Sequence, residues 1–203
     1  LLDIGCGWGG LAKFAAERYG VKVTGVTVSK EQLALAQERV RGLPVELLLQ
    51  DYRDLQGSFD KVVSVGMFEH VGPKNYDTYF TNVQRLMAPG GIFLLHTIGI
   101  ASTSQSTDPW IDRYVFPNGK LPSAREISTA VEGRFIIEDW HNFGADYDRT
   151  LELPRAQEIV GDGQRIDEPR AHGLHVEGGA LGHAETGLDA HRGPLAARER
   201  HQS

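Results

Sequence analysis

Gly5-Cys6-Gly7-Trp8-Gly9-Gly10 follows the short apolar run Leu1-Leu2-Asp3-Ile4 and leads directly into Leu11-Ala12-Lys13-Phe14-Ala15-Ala16. Strand, glycine turn and helix in that order form the unit with which an open α/β sheet holds a nucleoside-bearing ligand at its strand ends. Glycine lets the backbone turn sharply and removes the Cβ that would keep a ligand away. The spacing is G-x-G-x-G, without the third glycine of the dinucleotide pattern at its usual place. No Lys or Arg lies in the turn, so nothing in it suits a phosphate. A cationic sulfonium needs no such partner, and Asp3, two residues ahead of Gly5, suits one. The turn therefore reads as a site for S-adenosylmethionine (AdoMet).

The 203 residues are enough for one α/β domain with a core. A net charge of −6 argues against nucleic acid as the main partner. No apolar run approaches the roughly 18–20 residues needed to span a bilayer, and no secretory leader is seen. The single cysteine, Cys6, rules out an internal disulfide framework and fits a reducing cytoplasm. Inside the turn it reads as a small structural residue, not a nucleophile. The chain has no initiator Met and begins within its first strand, as expected of a piece of a longer protein.

Up to Leu151 strand-like and helix-like segments alternate, and every Phe, Tyr, Trp and Lys lies there. Strands are expected at Leu1–Ile4, Val21–Val28, Val45–Gln50, Lys61–Val65, Ile92–Ile98 and Arg134–Trp140. The helix after the first strand sets Leu11, Phe14, Ala15 and Tyr19 on one face. Ser29 and Gln32 match a capping box for the next helix. Lys74–Met87 is amphipathic, with Tyr76, Tyr79, Phe80, Val83 and Met87 at helical spacing and assigned to the core. Pro89-Gly90-Gly91 is read as the turn into strand five. The alternation implies right-handed crossovers and a doubly wound, mostly parallel sheet. Residues 152–203 carry no Phe, Tyr or Trp and no sustained apolar period, so disorder is expected there.

Several side chains are expected at the ligand edge of this sheet. Strand two ends Gly25-Val26-Thr27-Val28-Ser29 without the usual ribose-binding acid, leaving Gln32 the nearest side chain able to reach a ribose. Gln32 serves that role, closes the capping box, or both. After strand three, Asp51 and Tyr52 either flank an adenine ring or form a polar turn with Arg53. Glu69 and His70 follow strand four and point apart, with Glu69 the one facing the ligand. His96 interrupts the apolar run of strand five near its carboxyl end; it is either a satisfied core histidine or a catalytic group. Glu69 and His96 come from consecutive strands and can converge. The tail histidines His172, His175, His183 and His191 lack a rigid frame, and no metal site is expected.

Leu2–Gly10, Gly25–Ser29, Leu49–Asp54 and Gly66–Gly72 together resemble the cyclopropane-fatty-acyl-phospholipid synthase family. So do Phe93–Gly99, Asp108–Ile111, Tyr114–Gly119 and Glu138–Gly144, and the likeness is nearly continuous from residue 1 to Leu151. Mycolic-acid cyclopropane synthases are similar, less so through Asp108–Gly119 and Trp140–Asp148. The resemblance implies a class I AdoMet-dependent methyltransferase (Rossmann-like) fold, truncated at both ends. It also implies transfer of a methylene group from AdoMet to the cis double bond of an unsaturated phospholipid acyl chain. The expected location is cytoplasmic, peripheral to the inner face of the membrane, with a homodimer compatible with that role.

By the same resemblance the base is a bound bicarbonate held by Glu69, His96, the backbone at Ile98, and Tyr147. AdoMet contacts carry over to Leu1–Gly9, Thr27, Ser29, Gln32, Tyr52 and Arg53, and Asp51 is added as a candidate from the reading of the turn. Tyr114 and Phe116 are candidates for the lipid entrance or for core. The family's segment before strand one is missing, as are its later aromatic helices and final antiparallel strand. Residues 1–151 are thus expected to be a partial catalytic domain, and 152–203 a disordered or out-of-frame tail, with a shifted frame or chimeric join near Thr150–Glu152. Strand six is then expected to be left as an exposed edge that favours aggregation. The alternatives are a methyltransferase for a small acceptor and a non-catalytic remnant that binds AdoMet or lipid.

Overall fold

The structure, a computed structural model, describes residues 1–104, 109–114, 119–144 and 172–180. Its centre is a seven-stranded sheet of order β3-β2-β1-β4-β5-β7-β6. The strands are β1 (Leu2–Ile4), β2 (Val23–Thr27), β3 (Val45–Leu49), β4 (Phe59–Val65), β5 (Met87–Gly99), β6 (Phe135–Asn142) and β7 (His172–Ala180). The pairs from β3 through β5 are parallel, and β7 lies antiparallel to both its neighbours. The strand order reverses beside β1, which puts the glycine turn at the crevice where such sheets bind ligands.

Five helices are described: α1 (Gly10–Tyr19), α2 (Lys30–Arg39), α3 (Tyr76–Leu86), α4 (Pro109–Tyr114) and α5 (Ala124–Val131). Two separate apolar clusters hold the layers together. The larger joins Leu2, Ile4, Val62, Phe93 and Leu95 to Tyr79, Phe80 and Val83 of α3 and Ile127 of α5. The smaller joins Cys6, Ala12, Ala15, Ala16, Val23, Ala36 and Leu47. The aromatic face expected of Lys74–Met87 is buried as predicted: Tyr79, Phe80 and Val83 are each at 0% exposure. Phe68 stacks on Tyr76 at 4.4 Å and packs on Tyr79 and Phe80, so the short 3-10 turn Phe68–His70 is anchored in the core.

Four expectations are corrected. The buried side of α1 is Ala12, Ala15 and Ala16, while Phe14 and Tyr19 stay exposed and meet edge-on at 5.9 Å. Small residues let α1 approach β2 and α2 closely, and that contact outweighs the larger side chains. The Ser29–Gln32 capping box is only half made: Ser29 Oγ accepts from the Gln32 N–H, but the Gln32 side chain turns to Thr27. A complete capping box forms instead at Ser123 and Glu126, heading α5. Pro89–Gly91 does not precede strand five but lies within β5, where the register to β4 shifts between Phe59–Met87 and Lys61–Ile92.

The fourth correction concerns the tail. His172–Ala180 forms β7 between β5 and β6, so this part of the segment is paired, and an antiparallel strand stands where one was expected to be missing. Ladder bonds join backbone groups, which a Gly- and His-rich stretch possesses as fully as an apolar one. β6 remains the outermost strand, beyond β7.

Candidate active site

At the carboxyl end of β1 the chain enters the glycine turn with Gly5, Gly7 and Gly9 all at positive φ (81°, 51° and 75°). The N–H groups of Gly5 and Cys6 both donate to the Val26 carbonyl at 3.0 Å, tying the turn to β2. A Cβ on Gly5 would lie 2.7 Å from Met67 Cγ, and one on Gly9 would lie 3.0 Å from Ala36 Cβ. A Cβ on Gly7 would meet nothing within 4 Å, so this glycine faces open space. Arg39 donates to the Trp8 carbonyl, fastening the other side of the turn to α2. Trp8 itself is half exposed.

Asp3 is buried at the head of the turn, and its Oδ2 has no hydrogen-bond partner among the described residues. Burial pushes its carboxyl up from 3.8 to about 7. Cys6 is buried as well; desolvation, followed by the Asp3 charge, pushes its thiol up to about 11. The thiol is therefore neutral and fills space, as its place in the turn predicts.

At the end of β2, Thr27 and Gln32 are joined by a hydrogen bond of 3.0 Å. After β3, Asp51 is engaged by its neighbour: Oδ1 accepts from Arg53 N and Nε, both at 2.9 Å, and Oδ2 from Nη2 at 2.6 Å. The Arg53 guanidinium, foremost, holds the Asp51 carboxyl below its ordinary value. Tyr52 packs edge-on against Tyr79 at 5.4 Å, and burial raises its phenol.

After β4, Glu69 is completely buried while His70 is exposed, so the two neighbours do point apart. Glu69 Oε1 accepts from the Ile98 N–H at 2.7 Å, and its Oε2 has no partner among the described residues. The Glu69 carbonyl accepts from the Lys120 N–H at 3.1 Å. His96 lies on β5, two residues before Ile98, with its carbonyl accepting from Gly66 N–H at 3.0 Å. The structure thus brings Glu69 and the Ile98 amide together and sets His96 on the adjoining strand. Tyr147, Asp108 and Phe116 lie outside the described residues, and Tyr114 is exposed at the end of α4.

Sequence reasoning missed three supports of this site. Met67 closes on Gly5, as above. Gly25 lies so near the turn that a Cβ there would be 2.6 Å from Leu47 Cδ2 and 2.9 Å from Cys6 Cβ. Lys120 pairs with Glu126 at 2.6 Å beside the capping box, fixing the segment whose amide holds Glu69. The S-x-x-E pattern at Ser123–Glu126 was the readable signal for the last; the other two depend on contacts between distant segments.

The profile of the family described as mycolic acid cyclopropane synthetase matches residues 1–159. The chain is 65% identical over 151 residues to the cyclopropane-fatty-acyl-phospholipid synthase of Escherichia coli, covering 74% of this chain and 40% of that one. It is 32% identical over 186 residues to cyclopropane mycolic acid synthase 1 of Mycobacterium tuberculosis, covering 82% and 64%. The chain thus spans less than half the length of the Escherichia coli enzyme. Among solved structures, mycolic acid cyclopropane synthase CmaA1 complexed with SAH and CTAB superposes with a TM-score of 0.71 at 27% identity, covering 88% of this chain and 76% of that one. Geranyl diphosphate C-methyltransferase of Streptomyces coelicolor shares the fold, with a TM-score of 0.74 at 19% identity over 89% and 70%. With a match over residues 1–159 and a buried acid at the strand ends beside a glycine turn, the chain belongs to the mycolic acid cyclopropane synthetase family.

Proposed function

We propose that this chain is the core of an enzyme that transfers a methylene group from AdoMet to the cis double bond of unsaturated phospholipid acyl chains. The observation that carries the reading is Glu69, a fully buried carboxyl at the sheet's ligand edge, with one oxygen fixed by the Ile98 N–H and the other unpartnered.

The residues present fit AdoMet. Gly7 opens onto free space, and the unpartnered Oδ2 of buried Asp3 stands at the head of the turn. Asp3, Gly5, Cys6, Gly7, Trp8 and Gly9 would hold the ligand from the β1 side. Thr27, Ser29 and Gln32 would serve its ribose, and Asp51, Tyr52 and Arg53 its base. AdoMet, when bound, supplies an electrophilic methyl group on a cationic sulfur. With Asp51 held by Arg53, the Tyr52 ring is the part of that turn best suited to cover an adenine.

Addition of a methyl group to an alkene leaves a carbon cation on the lipid, and loss of a proton from that methyl closes the three-membered ring. Glu69, fully buried and held by the Ile98 N–H, would stabilise developing positive charge through a carboxyl that needs no reorganisation. The site also fits a bicarbonate ion as base, since one O–H of that ion would satisfy Glu69 Oε2. Glu69, His96, the Ile98 backbone and Tyr147 would hold it. Among the described residues no helix is long and apolar enough to cross a membrane. In this reading the substrate is met at the inner membrane face by a cytoplasmic, peripheral protein, with a homodimer compatible with that placement.

The test is direct. The chain is incubated with AdoMet and vesicles of dioleoyl phospholipid, and the fatty-acid methyl esters are analysed by gas chromatography and mass spectrometry. Cyclopropane product is expected. A methylated small acceptor instead favours an ordinary methyltransferase, and saturable AdoMet binding without product favours a non-catalytic binding remnant.

A further inference from the structure

We infer that Thr27 is a positioning residue that sets which end of the Gln32 carboxamide is presented to the ribose of the cofactor. The inference deepens the AdoMet reading and rests on it.

Thr27 ends β2 at 6% exposure, anchored by its carbonyl, which accepts from the Gln50 N–H at 3.0 Å. Its hydroxyl oxygen accepts from the Ser29 N–H at 3.2 Å. Its proton goes to Gln32 Oε1 at 3.0 Å. The direction of this last bond follows from the surroundings. With the Gln32 amide donating instead, the Thr27 oxygen would accept twice and its proton would need another acceptor in a part-buried setting, which is costly. With Oε1 drawn to the Thr27 side by this bond, the carboxamide turns its NH₂, two donors, the other way.

The backbone holds Gln32 in place as well. Its N–H donates to Ser29 Oγ at 3.2 Å, and the Ser29 hydroxyl in turn donates to Glu31 Oε2 at 3.0 Å. Gln32 lies one helical turn before Ala36, the residue that packs under Gly9 of the glycine turn. The NH₂ is thus carried on the stripe of α2 that faces the nucleoside end of the site.

This arrangement replaces the usual acid with a neutral donor pair. A carboxylate has two equivalent oxygens and accepts from ribose hydroxyls in either orientation. A carboxamide has two unlike ends and recognises one polarity only if something orients it. Thr27 supplies that orientation, and the ribose oxygens become acceptors.

The test measures binding of S-adenosylhomocysteine, and of its analogue lacking both ribose hydroxyls, by titration calorimetry on the full chain. Unmodified protein is compared with Thr27→Val and Thr27→Ser. Loss of one hydrogen bond to the ligand corresponds to a weakening of roughly two- to tenfold. Thr27→Val is expected to weaken S-adenosylhomocysteine by about that factor while leaving the analogue unchanged, and Thr27→Ser to restore binding. A purely structural role would weaken both ligands equally, and that result overturns the inference. No effect of Thr27→Val on either ligand also overturns it. Absence of S-adenosylhomocysteine binding by the unmodified chain overturns the cofactor reading itself.

Discussion

The Ile98 amide donates to Oε1 of Glu69 across 2.7 Å, joining the 3-10 turn after β4 to the carboxyl end of β5, the longest of the described strands. Phe68 in the aromatic cluster holds that turn from below, and the Lys120 amide holds it through the Glu69 carbonyl. The turn is therefore held at three points and the carboxyl at one of them, with its second oxygen left for a ligand. Glu69→Gln keeps the acceptor for Ile98 but replaces the free oxygen with a donor. Its fold is expected to persist while cyclopropane formation falls by about a hundredfold or more, the scale of losing a preorganised electrostatic group. Turnover measured alongside circular dichroism checks this.

Removing the side chain has a different signature. Glu69→Ala leaves the Ile98 N–H unsatisfied in a buried setting, at a cost of about 1–3 kcal/mol. Urea denaturation should show that loss for Glu69→Ala and little of it for Glu69→Gln.

Gly25→Ala tests the packing beneath the glycine turn. The new Cβ would press on Leu47 Cδ2 at 2.6 Å and Cys6 Cβ at 2.9 Å. Overpacking of this kind costs about 1–3 kcal/mol. Because Cys6 is part of the turn, S-adenosylhomocysteine binding should fall together with the denaturation midpoint. An unchanged midpoint would show that the turn has slack.

Asp3 predicts a pH dependence with a definite sign. Its carboxyl stands near 7 in the folded chain, raised by burial from 3.8. Between those values the folded state holds a proton that the unfolded state has released. Stability due to this group therefore falls as pH rises through that window and levels off above it. Asp3→Asn removes the term, so its stability relative to the unmodified chain should grow between pH 5 and pH 8. Denaturation curves at the two pH values decide the point.

Glu126 has two tasks, closing the capping box with Ser123 and pairing with Lys120. Glu126→Ala should cost about 0.5–2 kcal/mol, the scale of a lost cap. Hydrogen exchange should quicken in the first turn of α5 and at the Lys120 amide, which donates to the Glu69 carbonyl. Faster exchange confined to α5 would separate the cap from the turn that carries Glu69.

Local patterns in the chain were sufficient to determine the glycine turn, the strand–helix alternation, the buried aromatic face of α3 and the position of Glu69 at a strand end. Each depends on neighbours within a few residues, and the periods of strands and helices are visible at that range. Tertiary structure decided the rest. It buried the alanines of α1 instead of Phe14 and Tyr19, because close approach to β2 and α2 favours small side chains. It turned the Gln32 side chain from the capping box to Thr27, and gave the Glu69 carboxyl its partner 29 residues away. It also placed His172–Ala180 between β5 and β6, through backbone bonds that side-chain composition does not record. Hydrogen-bond direction and close packing are relations between segments, and only the folded chain brings those segments together.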